Sequence, residues 1–213
     1  DETRWLQAVF EETGTPQAIV GHVDLNSQSA RMQIDQHLES PNFKGVRDLS
    51  SREHLNNDMF KNGLALLQEY GLIASIAVQL QEMETLTDLA GQFPQLTIVL
   101  DHTGLPQERN PEYFQAWRTG MSSMSKRENI ICKISGLGMG DNSWTVESIR
   151  PYVETSIDLF GCDRSLFATN WPVDSLWSSY GDVVDAYRAI TESFTQQEKT
   201  ALFSANTERI YDI

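Results

Sequence analysis

Polar and ionisable side chains of kinds that bind or activate a substrate gather at the ends of apolar segments of this chain. His102 is the strongest candidate, because it ends an apolar segment and precedes a turn at residues 103–106. A neutral imidazole there can bind a metal ion, orient a water molecule or hydrogen-bond a substrate carbonyl. The alternative is a structural histidine that has the neighbouring Asp101 as its partner. The other candidates are His22, Arg47, Lys133, Asn170 and Asp174.

The two basic candidates suit an anionic substrate. Arg47 offers a planar guanidinium that can bind a carboxylate through two hydrogen bonds. Lys133 lies inside an apolar segment, where an ammonium group is costly unless it is paired. Each residue also has a structural alternative: Arg47 forms an ion pair, or Lys133 neutralises a neighbouring carboxylate. The sequence leaves both pairs of alternatives open.

Six short segments rich in β-branched residues predict strands that position these side chains. They are continuously apolar rather than alternating, which is typical of parallel strands covered on both faces. The segments are residues 18–24, 43–47, 72–78, 96–102, 130–135 and 166–170.

Segments of helical period lie between the predicted strands. The clearest stripe runs from Ile149 to Phe160, with Thr145 placed to cap the helix and Gly161 to end it. A second stripe, centred on Leu64, closes at Gly71. A helix is also predicted at residues 5–13.

A strand followed by a helix about every 35 residues predicts right-handed βαβ units, and hence a doubly wound sheet or a (β/α) barrel. No glycine-rich phosphate loop follows any predicted strand, which weakens the nucleotide-binding version. We therefore predict a TIM (β/α)8-barrel with about six of its eight strands present. Residues 1–213 form a single, N-terminally incomplete domain in this interpretation, and chemistry is expected at the carboxyl ends of the strands.

Composition narrows the class of partner. The hydrophobic fraction of 40% is ordinary for a globular protein, while 16 basic against 30 acidic residues give a net charge of −14. Such a polyanion repels phosphate backbones and anionic lipids, so we expect neither nucleic acid nor membrane as partner. A small-molecule substrate remains. Two cysteines, Cys132 and Cys162, are too few for a disulfide framework, and the predicted location is cytoplasmic.

Five segments in order resemble the amidohydrolase-related, predicted metal-dependent hydrolases of the TIM-barrel fold. The resemblance is to the branch that includes sugar-lactone hydrolases and pyrone-dicarboxylate lactonases. The segments are residues 20–25, 43–47, 100–106, 132–137 and 167–174.

The resemblance implies a hydrolase with a His-x-His pair on its first strand, a histidine on the sixth and an acid on the eighth. His102 matches the sixth-strand histidine, a metal ligand, and Arg47 resembles an arginine that binds anionic groups. No two histidines here are two residues apart, and Asn170 replaces the acid. Asparagine neither accepts a proton at neutral pH nor ligates a metal as a carboxylate does. Asp174 is either a replacement acid or a cap for the next helix.

These departures limit the cofactor prediction. We expect a divalent metal, zinc, to be held only by a full-length parent and not tightly by this chain alone. The two open sheet edges predict association with a second copy or with a completing chain.

The predicted function is hydrolysis of a small sugar-derived or carboxylated lactone by water attack on its carbonyl. His102 orients the carbonyl, Arg47 and Lys133 bind anionic groups together with His22, and Asn170 positions water, with Lys133 lying between His102 and Asn170. The alternatives are a non-catalytic barrel that acts as a binding or scaffold protein, and a metal-dependent decarboxylase of an aromatic acid. Two further histidines, His37 and His54, are predicted at the surface.

Overall fold

The strands form one parallel sheet in simple sequential order. The computed structural model describes residues 2–48 and 55–213. Each strand pairs in parallel with the next along the chain, in the order β1-β2-β3-β4-β5-β6. The partial barrel predicted from the sequence is thereby confirmed. The strands are β1 Ile19–His22, β2 Phe43–Arg47, β3 Ile73–Ile76, β4 Ile98–Leu100, β5 Ile130–Ile134 and β6 Ser165–Phe167.

Helices α1 to α7 alternate with the strands, and the helices that follow each strand cover the outer face of the sheet. The α-helices are α1 Glu2–Thr13, α2 Ala30–His37, α3 Asp58–Tyr70, α4 Met83–Gln92, α5 Pro111–Ser125, α6 Val146–Phe160, α7 Tyr180–Ile190, α8 Gln196–Thr200 and α9 Asn206–Tyr211. A turn of π-helix, Ala201–Ala205, joins α8 to α9. None of the helices in the described ranges is long and apolar enough to cross a membrane.

The predicted helix boundaries have the expected local chemistry. The Thr145 hydroxyl accepts a hydrogen bond from the backbone of Ser148 at the start of α6, and Gly161 follows its last residue. Gly71 ends α3 in the left-handed region, with a φ of 67°, where an L side chain is disfavoured. These local contacts set the start and end of α6 and the end of α3.

Five of the six predicted strands end earlier than expected, and two of these differences affect candidate residues. The segment 96–102 is extended only through Leu100, after which residues 101–104 form a tight turn. The segment 166–170 is shifted, because β6 ends at Phe167. In both places the chain leaves the sheet just before its polar residues, which lie in turns above the strand ends.

The sheet separates a large core from a small one. The large core lies between the outer face and the helices, and includes the fully buried Leu64, Ile98 and Trp117. The small core lies on the inner face, where the side chain of Tyr211 from α9 packs against the strand residues. We call this cluster the apolar layer; its buried members are Ile73, Val99, Ile131, Leu166 and Tyr211.

Candidate active site

A second row of inner-face side chains lies above the apolar layer. Ser75, Asp101 and Lys133 each come two residues after a member of that layer, namely Ile73, Val99 and Ile131. Because side chains of a strand alternate between faces, a spacing of two keeps them on the same face. Arg47, at the end of β2, joins the row. We call Arg47, Ser75, Asp101 and Lys133 the polar layer.

Asp101 is the centre of the polar layer. The Lys133 Nζ atom lies 2.6 Å from Asp101 Oδ1, and Arg47 Nε lies 3.1 Å from Oδ2. The Ser75 hydroxyl donates a hydrogen bond of 2.8 Å to Oδ1. Burial by itself would raise the pKa of this carboxyl, but Lys133, His102 and Arg47 outweigh it and hold the pKa below its usual value. Asp101 is therefore ionised.

The polar layer carries a surplus of positive charge. Two cations, Arg47 and Lys133, share the single carboxylate of Asp101. The side chain of Arg47 is 36% exposed and that of Lys133 is 19% exposed, whereas the side chain of Asp101 is fully buried. The open end of this layer is thus a guanidinium, suited to an anionic group or to a carbonyl oxygen that gains negative charge.

His102 lies beside the polar layer with both ring nitrogens engaged. Its Nδ1 atom lies 2.9 Å from Ser135 Oγ, and its Nε2 atom lies 3.2 Å from Arg47 Nη2. Because a guanidinium only donates, Nε2 must be the acceptor, and the ring hydrogen is therefore on Nδ1 and donated to Ser135. Burial lowers the pKa of His102 to about 4, with Lys133 and Arg47 acting in the same direction and Asp101 opposing them. The imidazole is neutral at neutral pH.

A left-handed turn places His102 next to Asp101 at the same site. Consecutive residues of a strand point to opposite faces, yet both side chains contact Arg47. Residues 102–105 all have positive φ, at 54°, 57°, 69° and 46°, which reverses the direction of the side chain. This conformation costs about 1 to 2 kcal/mol for each residue with a Cβ atom. A hydrogen bond of 2.9 Å from Trp117 Nε1 to the Thr103 carbonyl helps to hold it.

Arg109 ties together the two loops that follow β4 and β5. Its Nη1 atom donates to the Pro106 carbonyl at 3.2 Å, and Nη2 donates to the Leu137 carbonyl at 2.8 Å. The guanidinium lies over the ring of Tyr152, 4.6 Å from its centre. The loops that carry His102 and Ser135 are therefore fastened to each other and to α6.

Asn170 and Asp174 form a separate pair above the end of β6. The Asn170 amide donates a hydrogen bond of 2.8 Å to Asp174 Oδ1, and Asn170 has a φ of 55°. Asp174 is buried, at 2% exposure, and burial raises its pKa, against the opposing effect of Asn170. Among the residues that the structure describes, no hydrogen bond or ion pair joins this pair to the polar layer. Strand β5 lies between β4 and β6, so Lys133 stands on the intervening strand.

His22 approaches the polar layer through the backbone. Its Nδ1 atom donates to the Arg47 carbonyl oxygen at 3.1 Å, and its side chain is exposed. His37, predicted at the surface, is half-buried and stacks on Phe43 with ring centres 5.0 Å apart. The prediction for His54 falls outside the described residues.

The sequence interpretation overlooked the residues that hold the candidates in place. The sequence places Asp101 at a strand end and offers it as a partner of His102, whereas in the structure it pairs with Lys133 and Arg47. Ser75 and Ser135 were not identified as partners at all. A signal for Ser75 and Asp101 is present in the sequence. On β3, β4 and β5 a polar residue comes two positions after an inner-face apolar residue, and therefore lies on the same face.

Comparison with known proteins shows the family. The family model described as Amidohydrolase matches residues 2–213. The chain belongs to the amidohydrolase family. It is 38% identical over 224 residues to the uncharacterized protein y4mH of Sinorhizobium fredii, covering 100% of this chain and 75% of that protein. It is 29% identical over 193 residues to an L-fucono-1,5-lactonase of Burkholderia ambifaria, covering 85% of this chain and 64% of that enzyme.

A solved structure shares the fold of this amidohydrolase. A Burkholderia multivorans amidohydrolase with bound zinc superimposes with a TM-score of 0.92 at 23% identity, covering 100% of this chain and 79% of that one. Family membership and the lactonase-named relatives support a hydrolase.

The side chains of this amidohydrolase do not fit a metal ion in the arrangement seen. Within residues 2–48 and 55–213, no three histidine, cysteine, aspartate or glutamate side chains lie together as ligands. The Nε2 lone pair of His102, the predicted ligand, faces the guanidinium of Arg47 at 3.2 Å. A second cation at that nitrogen would meet Arg47 at short range. The donor set therefore supports no step through a metal.

Proposed function

We propose that this amidohydrolase opens a small sugar-derived or carboxylated lactone by water attack on the carbonyl carbon. The observation that carries the proposal is the surplus positive charge of the polar layer, where Arg47 and Lys133 share the one carboxylate of Asp101. The lactonase names of two relatives support the substrate class. These relatives are longer than this chain, so the substrate is inferred for the protein as a whole.

The reaction needs charge stabilisation at one oxygen. Water adds to the carbonyl carbon, and the carbonyl oxygen becomes negative in the tetrahedral intermediate. The intermediate then collapses as the bond from carbon to ring oxygen breaks, and the ring oxygen takes a proton to give a hydroxy acid. Donors already aimed at the developing oxyanion are usually the largest catalytic contribution. Lys133 is assigned this role, because its ammonium is partly exposed, and the more exposed guanidinium of Arg47 is then left for the carboxylate of the substrate.

Two neutral side chains are assigned to position the attacking water, and one carboxyl is assigned to accept its proton. His102 is neutral with its lone pair on Nε2, so it can accept a hydrogen bond from the attacking water and orient it. Asn170 positions water through its amide. Asp174, whose pKa is raised by burial, is the proton acceptor in this scheme, and its hydrogen bond to Asn170 connects the two.

The test is a panel of matched lactones, one set neutral and one set bearing a carboxylate, hydrolysed by the purified protein. We expect His102→Asn to lower kcat by about 10² to 10⁴, as for a lost acid–base or orienting group. Arg47→Met should reduce kcat/KM for carboxylated lactones more than for neutral ones. Arg4→Met, on α1 in an exposed ion pair with Glu39, is the matched control and should behave as wild type.

Two outcomes would contradict the proposal. Absence of turnover of every lactone in a correctly folded protein would favour the non-catalytic binding or scaffold protein. Wild-type rates in His102→Asn would remove this cluster from the chemistry, whatever substrate is turned over.

A further inference from the structure

Arg47 covers the Nε2 atom of His102, which is the nitrogen that would contact the attacking water. The Nε2 lone pair accepts a hydrogen bond from Arg47 Nη2 at 3.2 Å, and Nδ1 is occupied by Ser135 at 2.9 Å. His102 itself is only 4% exposed. As it stands, the imidazole has no nitrogen free to meet a water molecule or a substrate.

The charges around Asp101 allow the Arg47 guanidinium to turn away from His102. Asp101 Oδ1 keeps the Lys133 ammonium at 2.6 Å and the Ser75 hydroxyl at 2.8 Å, whatever Arg47 does. A buried carboxylate that loses its only cation is strongly destabilised, but this one has two. Arg47 contacts Asp101 Oδ2 through Nε and His102 through Nη2, so Nη2 can turn away from His102 while Nε stays beside Asp101.

A carboxylate competes well for this guanidinium. Arginine can bind a carboxylate through two parallel hydrogen bonds in which both partners are charged. The hydrogen bond to His102 has a neutral acceptor and uses one nitrogen, Nη2. Within the described residues Nη1 of Arg47 has no partner, so the Nη1 and Nη2 edge is the face that a carboxylate would take.

We propose that Arg47 masks His102 in the free protein and that an anionic group of the substrate unmasks it. The incoming carboxylate draws the guanidinium away from Nε2, which becomes available to the reacting water. This inference rests on the proposed lactone hydrolysis and adds a specificity rule to it. Carboxylated lactones are preferred in kcat as well as in KM, because neutral ones leave the imidazole covered.

The test measures exposure of His102 directly, without turnover. The protein is treated with diethyl pyrocarbonate at neutral pH, and modification of each histidine is followed by peptide mass spectrometry. Citrate is the anionic probe, and glycerol at the same concentration is the neutral control. We expect slow modification of His102 in the free protein, a several-fold faster rate with citrate, and no change with glycerol. N-acetylhistidine added to the same sample reports on reagent activity.

Variants separate masking from general loosening. Arg47→Met should make His102 react fast without citrate and should abolish the effect of citrate. Arg4→Met removes an arginine of an exposed ion pair far along the chain and should leave the labelling pattern unchanged. Citrate that protects His102 or has no effect, or a wild-type rate in Arg47→Met, would overturn the proposal.

A second measurement applies if Arg47→Met does not fold. Nitrogen-15 spectra of the wild-type imidazoles should show His102 protonated on Nδ1, and citrate should shift the Nε2 resonance while Nδ1 keeps its hydrogen. An unshifted Nε2 resonance at saturating citrate contradicts masking. The two proposals fail separately: unmasking without lactone hydrolysis contradicts the function alone, and hydrolysis with constant labelling contradicts the masking alone.

Discussion

The apolar layer and the polar layer follow each other on the inner face of β3, β4 and β5, yet they are built on opposite principles. The apolar layer, which includes Ile131, consists of aliphatic side chains packed against the ring of Tyr211. Two residues further along β3, β4 and β5, the polar layer has a hydroxyl, a carboxylate and an ammonium, and Arg47 at the end of β2 adds a guanidinium. The difference shows that one step of strand alternation is enough to separate the part that stabilises the sheet from the part suited to chemistry.

Their energetics differ as well. Burying an aliphatic side chain stabilises the fold by about 1.5 to 3 kcal/mol. A buried ion pair contributes little net stability, because desolvation cancels most of the attraction, but breaking it by removal of one partner is costly. The apolar layer is therefore expected to stabilise the fold in proportion to the volume of its side chains. The polar layer is expected to matter for stability only when one of its charged partners is removed.

The largest effect is expected from Asp101→Asn. This change leaves the Lys133 and Arg47 cations facing each other without a carboxylate, and should lower the free energy of unfolding by about 4 kcal/mol. Urea denaturation measures it. The double variant Asp101→Asn with Lys133→Met should recover part of the loss, since it removes one uncompensated cation. An equal loss in both variants would mean that completeness of the charge set is not what matters.

A smaller loss is expected in the apolar layer. Ile131→Ala leaves a cavity on the inner face and should lower the free energy of unfolding by about 3 kcal/mol. Its effect should be confined to stability, with modification of His102 by diethyl pyrocarbonate unchanged in folded protein. Met32→Ala, at a side chain 57% exposed on α2, is the control and should cost little. A changed His102 rate in Ile131→Ala would show that the two layers are coupled.

The smallest of the three effects is a pH dependence of stability that originates in His102. Its pKa is about 4 in the folded protein against a usual 6.5, so below pH 6.5 the unfolded chain binds the proton more readily. Stability is then fully present above the unfolded pKa and falls with pH, by about 2 kcal/mol between about pH 7 and about pH 5. Urea midpoints of wild type and His102→Asn across this range measure it. Parallel curves for the two proteins would contradict the assignment.

The sequence predicted the frame of the molecule well, because continuous apolar segments and helix stripes are local signals. Thr145, Gly161 and Gly71 act at the helix ends where they were expected. The strand ends were less accurate: β4 and β6 stop before His102 and Asn170, since a turn rather than a strand carries each of them.

The site was predicted only in outline. Arg47, Lys133 and His102 do come together, but the alternatives of ion pair and substrate ligand could not be separated without knowing that Asp101 lies between them. Contacts of this kind join strands tens of residues apart, and no local pattern encodes them. The contact between Arg47 and His102 could not be foreseen for a further reason, since it depends on a left-handed backbone that composition does not reveal.

That left-handed backbone restricts which amino acids can occupy the site at all. His102 and Asn170 have φ values of 54° and 55°, in a region that β-branched and bulky side chains tolerate poorly. Apart from glycine, asparagine, aspartate and histidine are the residues most enriched there. The backbone conformation at either position therefore favours substitutions to side chains that can bind a metal ion or form hydrogen bonds. An exchange between aspartate and asparagine at position 170 would pass this filter in both directions, so chemistry there can be altered without rebuilding the turn.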